Sequence, residues 1–76
     1  MKVKVNIHDI CTAEELDTLK RDCSVADNII FDYTLLSDGN YDTFCSITFN
    51  KIGMLKYFAL KRYEKSKKGK VSVTRL

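Results

Sequence analysis

The sequence predicts an α+β fold: a two-layer sandwich with two helices on one face of a four-stranded antiparallel sheet. Three observations carry this prediction. Residues Lys2 to Ile7 alternate polar and apolar, the period of a half-buried strand. Thr12-Ala13-Glu14-Glu15 spells a capping box ahead of an apolar stripe at helical spacing. Two β-branched and aromatic runs, 29–36 and 41–49, flank Ser37-Asp38-Gly39-Asn40 as the arms of a hairpin flank its turn.

In the first strand Val3, Val5 and Ile7 face one way, and Lys2, Lys4 and Asn6 face the other. The Thr12 hydroxyl then accepts from the Glu15 amide while the Glu15 carboxylate reaches back to the Thr12 amide, which fixes the start of a helix. Leu16, Leu19 and Cys23 form its stripe, Glu14, Glu15 and Asp17 favour its N-terminal end, and it should stop near Ser24 to Ala26. In the hairpin, a two-residue turn at Asp38-Gly39 would mix apolar and polar residues on each face. A three-residue loop, Asp38 to Asn40, gathers Ile29, Phe31, Tyr33 and Leu35 with Thr43, Cys45, Ile47 and Phe49 on one side, and is the expected geometry.

Asn50 is the expected cap of a second helix reaching about Lys65, with a core stripe of Ile52, Leu55, Ala59 and Tyr63 and Phe58 at its flank. Met54, Tyr57 and Leu60 fall outside that stripe, so the helix is apolar over more of its circumference than one packed face requires. Gly69 suits the following turn, and Val71 and Val73 alternate with Lys70, Ser72 and Thr74 in a last strand. The order strand, helix, strand, strand, helix, strand most simply folds as a ferredoxin-like βαββαβ sandwich. That architecture hosts many unrelated activities, so function must be argued from sites.

Composition narrows the classes. With 76 residues there is room for one domain, residues 1–76, and none for a deep substrate pocket. No apolar run approaches membrane-spanning length, and Met1-Lys2-Val3-Lys4 leads into a strand pattern unlike a secretory leader, so a cytoplasmic protein without membrane association is expected. Three cysteines, Cys11, Cys23 and Cys45, with no Cys-x-x-Cys pair, fit a reducing compartment better than a disulfide framework or a zinc ribbon. His8 and Cys11 lie three apart where a helix dipole could activate a thiol, but no third group orients them, and Cys23 is about 18 Å along the helix from Cys11. There is no glycine-rich phosphate loop and no calcium-loop spacing, so neither an enzyme nor a cofactor or metal protein is expected.

Charge carries the functional expectation. Up to Asn50 there are four basic and nine acidic residues, whereas from Lys51 onward there are nine basic residues and one acidic. Lys61, Arg62, Lys65, Lys67, Lys68, Lys70 and Arg75 therefore predict a positive surface that engages nucleic acid or the acidic surface of a nucleoprotein complex. Phe44, expected on the open face of a central strand, is the candidate for base stacking, although the first strand offers no second aromatic and 41–49 lacks the pattern of an RNA-recognition motif. The alternative reads Met54, Tyr57 and Leu60 as a protein interface, homodimeric or with a foreign target, and Tyr57 as its anchor. In that case the chain would be a short inhibitor of the kind phages and mobile elements direct against host complexes.

Overall fold

The computed structural model describes residues 1–22 and 28–76. Its elements are β1 (Val3–Cys11), α1 (Ala13–Asp22), β2 (Asn28–Leu35), β3 (Tyr41–Phe49), α2 (Met54–Ser66) and β4 (Val71–Arg75). The four strands form one sheet in the order β2-β3-β1-β4, with every neighbouring pair antiparallel, which is the ferredoxin-like arrangement.

The alternation in β1 does what its period requires. Val3, Val5 and Ile7 point into a core completed by Cys45 and Ile47 of β3 and Val71 and Val73 of β4. From the helical layer, Leu16 of α1 is buried, while Leu19, Tyr57 and Leu60 are partly buried and the last three pack against this cluster. Fully burying a Val or Ile side chain stabilises by about 1.5–3 kcal/mol, so these seven sheet residues are the main source of fold stability.

The capping box forms as read: the Glu15 amide donates to Thr12 Oγ1 at 3.2 Å and the Thr12 amide to Glu15 Oε1 at 3.1 Å. Glu14 and Glu15 in the first turn of α1, with Lys20 and Arg21 in the last, complement its dipole. The expected end of this helix near Ser24 to Ala26, and Cys23 on its stripe, lie outside the described residues.

Four expectations need correction. β1 runs on to Cys11 instead of stopping at Ile7, because the whole strand to Cys11 pairs with β3, up to Cys11 opposite Tyr41. The hairpin loop has three residues but begins one position early: Leu36 N–H donates to Asn40 O at 2.8 Å, which leaves Ser37, Asp38 and Gly39 in the loop. That setting puts Gly39, at φ +88°, in the left-handed third position such loops require, and both settings give the same two faces.

α2 starts at Met54, with Gly53 rather than Asn50 as the residue before it and no side-chain cap. The cause is remote, since Met1 N donates to Ile52 O at 2.9 Å and Ile52 N–H to Met1 O at 3.0 Å, holding residue 52 out of the helix. Finally, α2 is rotated relative to the predicted stripe. Tyr57, Leu60, Lys61 and Glu64 turn inward, whereas Leu55 is 87% exposed and Ala59 faces solvent.

Candidate binding surface on the second helix

The Lys and Arg residues from Lys61 onward separate into those with an ion pair and those without. Lys61 contacts Glu64 at 2.9 Å and Lys70 contacts Asp9 at 3.1 Å, so each is locally neutralised. Lys67 lies over the Tyr63 ring, 5.6 Å from its centroid. Arg62, Lys65 and Lys68 are exposed and, among the described residues, form no ion pair, although Lys65 is close enough to Glu64 to help hold its carboxyl down. Arg75 is exposed at the far end of β4, about 13 Å of strand from Val71, and does not join the group at the helix end.

The two carboxylates that hold these lysines have structural work of their own. His8 N–H donates to Lys70 O, and Leu76 N–H to Lys2 O, so even-numbered residues of β4 bond to β1 and the N–H of Val73 points out of the sheet. Glu64 reaches down from α2 and accepts that N–H at 2.6 Å. Higher up, where β1 outruns β4, Asp9 Oδ1 accepts the Ile10 N–H at 2.8 Å. The Val73 amide, followed by Lys61, holds the Glu64 carboxyl below its usual range. For Asp9 partial burial pulls upward, but Lys70 and the Ile10 amide outweigh it and the net shift is downward.

The turn after α2 contains a backbone signal that charge counting misses. Lys68 sits at φ +43° and Gly69 at φ +85°, with Lys70 N–H donating to Lys67 O at 3.1 Å. A left-handed lysine costs roughly 1–2 kcal/mol relative to an ordinary conformation. Such strain, where it persists, is often tied to function.

Phe44 stands apart from all of this. It lies on the sheet face opposite the helices, directly between His8 of β1 and Asp32 of β2, with Asp42 two residues away on the same face. His8 Nε2 and Asp42 Oδ1 are 3.0 Å apart. The nearest lysine of β1 on that face, Lys4, pairs with Thr48 at the other end of the strand. Carboxylates therefore surround the ring, and no cation of α2 shares its surface. The same alternation separates His8, on the open face, from Cys11, which is buried beneath the helices with its Sγ 3.5 Å from Thr43 Oγ1, so no imidazole–thiol pair exists. Among the described residues no three His, Cys, Asp or Glu side chains come together as a metal site. An open recess of about 400 Å³ between the helices is lined by Asp9, Glu14, Glu15, Tyr63 and Lys67 with mixed charge.

What gathers on one surface is apolar and basic. Of the residues read as an interface, Met54 is exposed, while Tyr57 and Leu60 pack against the core. The outward set is Met54, Leu55 and Phe58, with Phe58 51% exposed. Lys51, Arg62 and Lys65, all exposed, lie along the same helix and its approach. Glu64 is the one acid of α2, and it is turned toward Val73. Leu55 and Phe58 were missed because both apolar stripes of this helix read equally well as core. No family model, curated protein or solved structure matches the chain. No helix among the described residues is long and apolar enough to cross a membrane.

Proposed function

We propose that this chain is a non-enzymatic binding module that seats α2 in an acidic, apolar-floored groove of a partner protein, acting as a small blocking or regulatory subunit. The observation that carries the reading is Leu55, almost fully exposed beside Phe58 and Met54 on a helix whose outward charges are all positive. Apolar anchors with a charged rim are the anatomy of a protein interface, and the positive rim specifies a negative partner. Among the described residues Cys11 and Cys45 are thiols and not disulfide partners, which fits a reducing, cytoplasmic setting.

A second reading is favoured by one feature. The strained Lys68, with Arg62, Lys65 and Lys67, offers clustered cations to a polyanion, either nucleic acid or an acidic face of a nucleoprotein complex. The carboxylates around Phe44 weigh against base stacking there and leave only the helix end for such contacts.

Both readings are tested with one set of proteins: the parent chain, a Leu55→Ala/Phe58→Ala variant, and a Lys65→Glu/Lys68→Glu variant. Each is used as bait in nuclease-treated extract, any captured protein is purified, and its affinity is measured at low and high salt; in parallel, a single-stranded oligonucleotide is titrated. The proposal expects a protein whose affinity falls at least tenfold for the apolar variant and only modestly with salt. Binding confined to the oligonucleotide, abolished by the Lys-to-Glu variant and steeply salt-dependent, would overturn it in favour of the polyanion reading.

A further inference from the structure

The free edge of β2 differs from the edge on the β4 side. Leu36 N–H bonds to Asn40 O, and Leu35 faces Tyr41, so even-numbered residues of β2 direct their backbone groups at β3. The N–H and C=O groups of Ile29, Phe31, Tyr33 and Leu35 consequently point away from the sheet, and among the described residues none of them has a partner. Exposed edges are normally protected by lysine, proline, a bulge or a covering element. β2 has no lysine, arginine or proline, pairs with β3 in unbroken register, and exposes apolar side chains on both faces: Ile29, Tyr33 and Leu35 on one, Ile30 on the other.

We infer that β2 is a self-association edge: two copies of this chain pair antiparallel through β2, extending the sheet across a two-fold axis at Phe31. The residue pattern selects this occupant. Centred on Phe31, the pairing sets Phe31 against Phe31 of the second copy, Ile29 against Tyr33 and Asn28 against Thr34, with Ile30 opposite Asp32. Like meets like on the helical face, and no two charges of one sign are opposed. The odd-numbered residues then supply both their free N–H and C=O groups to the second copy. Centring the axis on Asp32 would instead oppose two carboxylates, and centring it on Ile30 would shorten the pairing to residues 28–32.

A head-to-tail arrangement, β2 of one copy on β4 of the next, would propagate as an open filament. Glu64 forecloses it by occupying the central outward N–H of β4. With the central donor of one edge taken and the other edge complementary to itself, association ends at two copies.

The test is sedimentation equilibrium on the full chain and on two variants at Ile30, whose side chain is 63% exposed and can be replaced without opening the core. Ile30→Asp places a carboxylate opposite Asp32 of the second copy, twice per dimer, and is expected to weaken association roughly tenfold at neutral pH. Ile30→Lys places opposite charges there and is expected to leave association unchanged or tighten it. Circular dichroism checks that each variant is folded. A monomer up to millimolar concentration overturns the inference. So does a dimer that both Ile30 variants weaken alike or neither affects, and so does one dissociated by Leu55→Ala/Phe58→Ala alone, since that locates association on α2.

Discussion

Ile47 and Ile29 stand directly opposite one another on adjacent strands, on the same face of one sheet, yet one is 5% exposed and the other 38%. The difference extends to the two halves of the molecule. On the β1–β3–β4 side, alternating valines and isoleucines are sealed by α2, and two carboxylates accept the outward amides of Val73 and Ile10. On the β2 side no residue of the strand is buried, and the inner aromatics Phe31 and Tyr33 are overlain by the ammonium of Lys20, 4.3 Å from the Tyr33 ring. Stability is therefore concentrated in one half, and the other half keeps apolar surface and backbone groups available for contact.

The most forceful way to break this contrast is to remove the same atoms from each half. Ile47→Ala should cost about 2–5 kcal/mol in urea denaturation, through lost burial and the cavity it leaves. Ile29→Ala, already open to solvent, should cost about 1 kcal/mol or less. Similar losses at the two positions would mean that β2 is packed as tightly as β3.

Acid tests the closed edge. Glu64 and Asp9 both have lowered folded-state pKa values, so the stability they confer is complete above the ordinary carboxylate values of 4.5 and 3.8 and is lost as pH falls through the folded-state values beneath them. The melting temperature should drop as pH falls below about 4.5. A Glu64→Gln/Asp9→Asn variant, unable to titrate at these positions, should show a shallower drop. An unchanged slope would remove the two carboxylates from any role in closing this edge.

How much of this was legible in the chain follows from the range of the interactions. The capping box of α1 depends on Thr12 and Glu15 alone and forms as written, and the parity of the hairpin loop follows from which residues of β2 and β3 must share a face. The rotation of α2 was not legible. Its residues are apolar on both sides, and the choice is made by bonds to distant parts of the chain, Ile52 to Met1 and Glu64 to Val73. The basic run was visible as composition, but its division was not, because Lys70 finds its acid at Asp9, on the first strand. Parity alone puts Asp32 on the face of Phe44, but only the register sets Asp32 and His8 directly beside it.

A smaller effect sharpens the reading of the helix end. Lys68→Gly relieves the left-handed strain and should stabilise the fold by about 1 kcal/mol, visible as a raised denaturation midpoint at unchanged slope. If the partner is polyanionic, the same change should also weaken binding and lower the slope of log affinity against log salt by about one. A more stable protein with unaltered binding would mark the lysine as dispensable for recognition.

The least effect on stability is expected at Leu55, and it is the most informative about the surface. At 87% exposure the side chain has almost no packing to lose, and alanine is at least as good a helix former, so Leu55→Ala should leave stability within about 0.5 kcal/mol. An apolar residue that the fold does not need, flanked by Phe58 and Met54 and rimmed by cations, is where folding and binding requirements can be separated experimentally. A loss of partner affinity with no change in the unfolding midpoint assigns Leu55 to recognition. A loss of stability above about 1 kcal/mol would show instead that the leucine packs within the chain, and the α2 surface would lose its anchor.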